Sequence, residues 1–69
     1  MDYFQRMGQT IIKAMRVLEA KNIPYETIGF CPKSDNENTI YVDDKEFGVY
    51  DDRVDNITML NLEFFQNLN

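Results

Sequence analysis

Six carboxylates cluster in the second half of the chain: Asp43, Asp44 and Glu46 in one group, Asp51, Asp52 and Asp55 in the next. Grouped carboxylates can ligate a hard cation, share a proton as an acid–base pair, or imitate the charge of a nucleic-acid backbone. The spacing argues against a cation. An EF-hand loop alternates oxygen ligands, with Gly at its sixth position and Glu at its twelfth. Asp51-Asp52-Arg53-Val54-Asp55-Asn56 puts Arg at the third and Asn at the sixth. Acid–base work needs a pocket that shifts a pKa, and nothing in the pattern builds one. Mimicry asks for less. Phosphates recur every ~3.4 Å along a strand, and spaced carboxylates on a compact surface approximate that while their field steers them to a basic groove.

Other reactive groups are scarce. There is no His, so there is no imidazole base, Ser-His or Cys-His pair, or His metal ligand. The lone Cys31 precedes Pro32 and has no second Cys for redox chemistry, a disulfide or a Cys-only zinc site. It reads as a small, partly buried hydrophobe at a strand end. Gly8, Gly29 and Gly48 are isolated and form no phosphate loop. No catalytic, cofactor-binding or metal-binding residue is assigned, and the expectation is a protein that is not an enzyme.

These groups must be positioned by 69 residues, read as one domain spanning 1–69. A chain of this size hides only about 60% of its unfolded surface, too little for a cofactor cavity and a substrate cavity together. The charge is −5, distributed as +2 over residues 1–33 and −7 over residues 34–69. Residues 1–10 lack the basic and apolar regions of a signal peptide. No apolar run approaches the ~20 residues of a membrane span. One Cys fits a reducing compartment. A soluble, cytoplasmic protein is expected.

The first helix is legible over 3–21. Tyr3, Phe4, Met7, Ile11, Ala14, Met15 and Leu18 fall within roughly a third of the helical circle, with Arg6, Gln9, Lys13 and Arg16 opposite. Asp2 and Gln5 are spaced for a capping box. Asn22 suits the left-handed position after the last turn, Ile23 folds back, and Pro24 prevents continuation. Strands follow at Tyr25–Phe30, Thr39–Val42 and Glu46–Tyr50. Cys31 to Glu37 is a loop, and Asp43-Asp44-Lys45 a hairpin turn. In the tail, Ile57, Leu60, Phe64, Phe65 and Leu68 form a helical stripe capped by Asp55 or Asn56. Leu60, Leu62 and Phe64 also alternate as a strand would, but the helical count is higher. The expected fold is α+β in the order α-β-β-β-α: a three-stranded antiparallel meander with helices on one face.

Strand alternation assigns Ile28, Phe30, Ile40, Val42, Phe47 and Val49 to the helix side. Tyr25, Thr27, Thr39, Tyr41, Gly48 and Tyr50 fall on an open side. Three Tyr rings there would make a recognition platform, because contact surfaces are enriched in Tyr. Single-stranded bases stack on such sheets, but only where Lys and Arg flank them. Acidic loops flank this one, so direct nucleic-acid binding is not expected. The basic strip Arg6, Lys13 and Arg16 reads as a solvated helix face, or as a contact for the acidic half of a second subunit.

The expected function is a small acidic protein-binding module that inhibits or modulates a partner, such as a nucleic-acid-handling protein, by charge mimicry. In size and charge the chain is similar to the small acidic inhibitors that phages and mobile elements encode. The expected partner-binding residues are Tyr25, Tyr41, Tyr50, Asp43, Asp44, Glu46, Asp51, Asp52 and Asp55. The alternative is a self-associating module that dimerises through the Tyr face or a sheet edge. Neither reading involves a cofactor or a membrane.

Overall fold

A computed structural model of the chain describes residues 1–65. Helix α1 spans Tyr3–Ala20 and starts as its cap residues dictate. Gln5 N–H donates to Asp2 Oδ1 at 2.8 Å, and Asp2 N–H donates to Gln5 Oε1 at 3.3 Å. At the other end Asn22 takes φ 57°, Asn22 N–H donates to Glu19 O, and Ile23 N–H reaches back to Leu18 O at 2.9 Å. This is the Schellman arrangement, with Ile23 packed on the core that Leu18 also enters.

The sheet has four antiparallel strands in the order β1-β2-β3-β4, not the three expected. They are β1 Ile28–Pro32, β2 Glu37–Val42, β3 Lys45–Asp51 and β4 Asn56–Thr58. β1 therefore starts three residues later than expected and takes in Cys31 and Pro32. Proline fits there for a specific reason. Asp43 N–H donates to Thr27 O and Lys33 N–H to Glu37 O, so the ladder bonds of this pair fall at odd-numbered positions. Pro32 lies between them and faces the open edge, where a missing N–H costs no ladder bond. Asp43 and Asp44, with φ 50° and 65°, make the two-residue turn between Val42 and Lys45. Positive φ at both residues matches the right-handed twist of the strands they join.

The expected C-terminal helix is not found. Ile57 pairs with Tyr50 in β4, and the only helical turn after it among the described residues is a 3₁₀ turn at Leu62–Phe64. Residues 66–69, where that helix would have ended, lie outside the described residues. The physical reason is the partner available to Ile57. β3 offers an open edge four residues upstream, and three ladder pairs form on it before the chain turns.

A β-bulge corrects the assignment of faces. Ile40 pairs with Gly48, but Tyr41 pairs with Glu46, so Phe47 is the extra residue. One inserted residue advances the alternation by one position. Phe47 still points into the core, but Tyr50 now points there as well. Val49, expected inward, pairs instead with Thr39 and Thr58 on the other face, where it is also buried. The core is Ala14 and Leu18 of α1 against Ile40, Val42, Phe47 and Tyr50, closed at its rim by Ile28, Ile57, Phe64 and Phe65. Phe64 meets Phe47 edge-on at 5.2 Å.

Candidate functional site

The three tyrosines do not form a platform. Tyr50 is fully buried, and its hydroxyl donates to Asp55 Oδ1 at 2.6 Å. Burial, then the hydrogen bond to Asp55 and its charge, push the phenol well above its ordinary pKa. Tyr25 packs half-buried against the core. Only Tyr41, 37% exposed, remains on the open face. Cys31, expected to be partly buried, is exposed, because β1 runs on to Pro32 and sets it on that face opposite Thr39.

The carboxylates divide into two groups by what they touch. Asp43 Oδ1 accepts the Glu26 and Thr27 N–H groups at 2.8 and 2.9 Å, which tie the segment before β1 to the β2–β3 turn. Those two donors hold its pKa below the ordinary value. Asp51 takes a two-pronged contact from Arg53, Nε at 3.0 Å and Nη2 at 2.8 Å, and the Arg53 N–H as well. The guanidinium lowers the Asp51 pKa, and the carboxylate raises that of Arg53. Asp52 accepts from Arg6 Nε at 2.7 Å and from Asn36 Nδ2 at 2.9 Å, which lowers its pKa in that order of effect. Asp55 faces Lys13 at 3.7 Å in addition to Tyr50. Asp44 and Glu46 have no side-chain partner among the described residues.

The basic strip of α1 is thus largely accounted for within the chain. Arg6 and Lys13 meet Asp52 and Asp55, a pairing across more than forty residues of sequence that cap and periodicity rules do not reveal. Arg16 is exposed and makes no ion pair among the described residues. No three carboxylate or thiol side chains among the described residues converge as a cation would require. No helix among them is long and apolar enough to cross a membrane.

An apolar surface emerges instead on α1. The sheet buries Thr10, Ala14 and Leu18 fully, a line offset from the centre of the expected stripe. The offset leaves Phe4 76% exposed, edge-on to Tyr3 at 5.6 Å, with Met1 and Ile12 also exposed. Gly8 lies on a shallow groove lined by Met1, Gln5, Gln9, Ile12 and Asp52, to which Phe4 and Tyr3 do not contribute. The expected site residues did not include this surface. Its signal was available, since an apolar arc spanning a third of a helix is wider than three sheet-facing positions can cover. Compared with known proteins, the chain matches no family model, no curated protein and no solved structure.

Proposed function

We propose that the protein is a small non-enzymatic protein-binding module whose contact surface is the uncovered side of α1. The observation that carries this reading is Phe4, 76% exposed and edge-on to the exposed Tyr3, on a helix that already buries another side. Apolar groups gathered on one exposed surface mark contact sites, and aromatic residues dominate the energy of such contacts. A module of this kind inhibits or modulates by covering its partner's surface, which needs no catalytic group.

Charge mimicry draws on fewer groups than the sequence offers. Asp51, Asp52 and Asp55 are held by Arg53, Arg6 and Lys13, and Asp43 by backbone N–H groups. Asp44 and Glu46, at the hairpin, are the clustered carboxylates left free of such contacts among the described residues.

Salt and substitution separate the two. Tagged protein is used to capture binding proteins from nuclease-treated lysate. The apolar reading expects capture that survives high salt and is lost in Phe4→Glu. Mimicry expects capture that salt abolishes, because exposed charges are screened, and that Asp44→Asn with Glu46→Gln removes. Undiminished capture by Phe4→Glu overturns the α1 reading.

A further inference from the structure

β1 is an edge strand, and among the described residues no strand lies beyond it. Its bonds to β2 fall at odd-numbered positions, between the ties of Thr27 to Asp43 and of Lys33 to Glu37. In an antiparallel pair the residues between those positions turn their N–H and C=O groups the other way. Ile28 and Phe30 therefore present two donors and two acceptors along the outer edge, about 7 Å apart. Pro32 adds a carbonyl. Hydrogen-bonding groups in this arrangement fit an extended backbone.

One flank of α1 runs above this edge. Arg6 and Lys13 engage Asp52 and Asp55, so their flank of the helix faces the β4 side of the sheet. At about 100° per residue they lie roughly 80–100° round from the middle of the buried line Thr10, Ala14 and Leu18. Ile11 and Met15 lie about 60–100° round in the opposite direction. The strand order puts β1 on that side, and α1 touches β1 as well as β4. Phe4 belongs to the same flank, about 80° round.

The apolar layer between helix and sheet stops short at this edge. Ile28 and Phe30 pair with the buried Val42 and Ile40, so they share the helix-facing side. Both are half-buried, as are Ile11 and Met15. Each keeps part of its apolar surface in solvent on the side where a further strand would lie. Such a strand would meet the edge with its backbone and fill the layer with alternate side chains.

Charge separates the candidate occupants. Asp43 accepts the Glu26 N–H, so Glu26 and Asp44 stand close together at the start of the edge. Both are exposed and in no ion pair among the described residues. Lys45 opens β3, two strands in, and at the far end Lys33 and Asp35 offset each other. A basic residue complements the Glu26 end. A second copy of β1 fits less well. Centred on Phe30, it sets Pro32 against Ile28, whose carbonyl then receives no N–H, and it joins two chains of charge −5.

We infer that the partner is an extended segment of another protein, added to β1 as a fifth strand. It carries apolar side chains at alternate positions under Ile11 and Met15, and a basic residue beside Glu26 and Asp44. The inference rests on the reading of the uncovered side of α1 as the contact surface, and it states what kind of chain binds there.

Amide hydrogen exchange read by NMR tests it, with two blocked peptides as probes: Lys-Thr-Val-Thr-Val-Thr and its reverse, Thr-Val-Thr-Val-Thr-Lys. Without peptide, the Ile28 and Phe30 amides are expected to exchange fast and those of Gly29 and Cys31 slowly. One of the two peptides, up to roughly 1 mM, is expected to slow Ile28 and Phe30 about tenfold, as ligand at ten times its Kd does. The peptide with Ser for both Val should give no such protection, and equal protection overturns the apolar layer. Glu26→Lys with Asp44→Lys is expected to weaken binding about fivefold, the effect of two exposed ion pairs. Unchanged affinity in that variant overturns the basic end. Protection of Ile28 and Phe30 that grows with protein concentration alone makes the occupant a second copy and overturns the foreign strand. No protection by either peptide overturns strand addition. In that case, lysate capture lost in Phe4→Glu leaves the contact surface on α1 standing, whereas capture undiminished in Phe4→Glu overturns both readings.

Discussion

Arg6 Nε donates to Asp52 Oδ2 at 2.7 Å, with the two side chains 17% and 5% exposed. The contact ties the first turn of α1 to the loop that joins β3 and β4. It also converts two residues that look available in the sequence into a piece of the fold. Asn36 donates to the other Asp52 oxygen, so this carboxylate links three segments that are distant in sequence.

The acid limb of stability follows from this contact and its neighbours. Asp43, Asp51 and Asp52 all have folded pKa values below ordinary. The unfolded chain therefore binds more protons in acid. The stabilisation is present above the unfolded carboxylate pKa of ~4 and lost as pH falls through the folded values. The urea midpoint should be flat near neutrality and fall below about pH 4. Arg6→Gln should lower the midpoint at neutral pH and converge with wild type at a pH low enough to protonate Asp52 in both folded proteins. A gap that persists unchanged at that pH would show that Arg6 acts by packing instead. Lys13→Ala, losing a 3.7 Å contact to a half-exposed Asp55, should change stability by no more than about 0.5 kcal/mol.

Tyr50 sets the opposite limb. Its folded pKa is raised, so the folded state holds the phenolic proton more tightly than the unfolded state does. That stabilisation is present below the unfolded Tyr pKa of ~10 and is lost as pH rises above it. Tyr50→Phe removes the hydrogen bond to Asp55, at a cost of about 1 kcal/mol near neutrality, and should flatten the alkaline limb. Equilibrium urea melts between about pH 8 and 11 read both effects. An alkaline decline of the same steepness in Tyr50→Phe would assign that limb to another group.

What the sequence disclosed and what it withheld divide by range. The Asp2–Gln5 box, the Asn22–Ile23 stop and the turn after Val42 are fixed by residues within a few positions of one another; the first two form as read, and the turn forms on Asp43 and Asp44 while Lys45, read as part of it, opens β3. The bulge at Phe47 is different in kind. It is defined by Tyr41 and Ile40 on another strand, so alternation along β3 alone places Val49 inward and Tyr50 outward. That inserted residue turned Tyr50 inward, and Tyr25, which precedes β1, packs half-buried against the core, so the expected Tyr platform did not form. Ile57 shows a second limit, because an apolar residue before a helical stripe reads the same whether a helix follows or a neighbouring edge captures it. The ion pairs failed for a third reason: Arg6 and Lys13 count as free charge until the fold brings Asp52 and Asp55 to them.

The bulge makes Gly48 a packing position. A Cβ there would stand 3.0 Å from Ile57 Cγ2 and 3.4 Å from both Leu60 Cδ2 and Thr58 O. The small residue is what lets β4 lie close. Gly48→Val should destabilise the domain by about 1–3 kcal/mol through overpacking, read from the urea midpoint. Ile57→Ala in that background should recover part of the loss, although alone it is destabilising. Losses that simply add would separate Gly48 from Ile57 and place the strain elsewhere.

Thr10 gives the most discriminating substitution within the fold. It is fully buried and begins the sheet-facing line Thr10, Ala14 and Leu18 of α1. Its Oγ1 donates to Arg6 O at 2.6 Å and accepts from Asn38 Nδ2 at 3.0 Å. Asn38 is itself buried, opposite Tyr50 on β2. Val matches Thr in shape but cannot accept that bond, leaving a buried amide donor unpaired. Thr10→Val should therefore cost about 1–3 kcal/mol, and Thr10→Ser, which keeps the hydroxyl, should cost less than Thr10→Val. Replacing both partners removes the orphan. Thr10→Val with Asn38→Leu should sit closer to wild type than Thr10→Val alone, because the mismatch rather than the polar pair carries the penalty. If Thr10→Val is neutral, the contact contributes nothing measurable, and the offset of α1 on the sheet must be set by Ala14 and Leu18 alone.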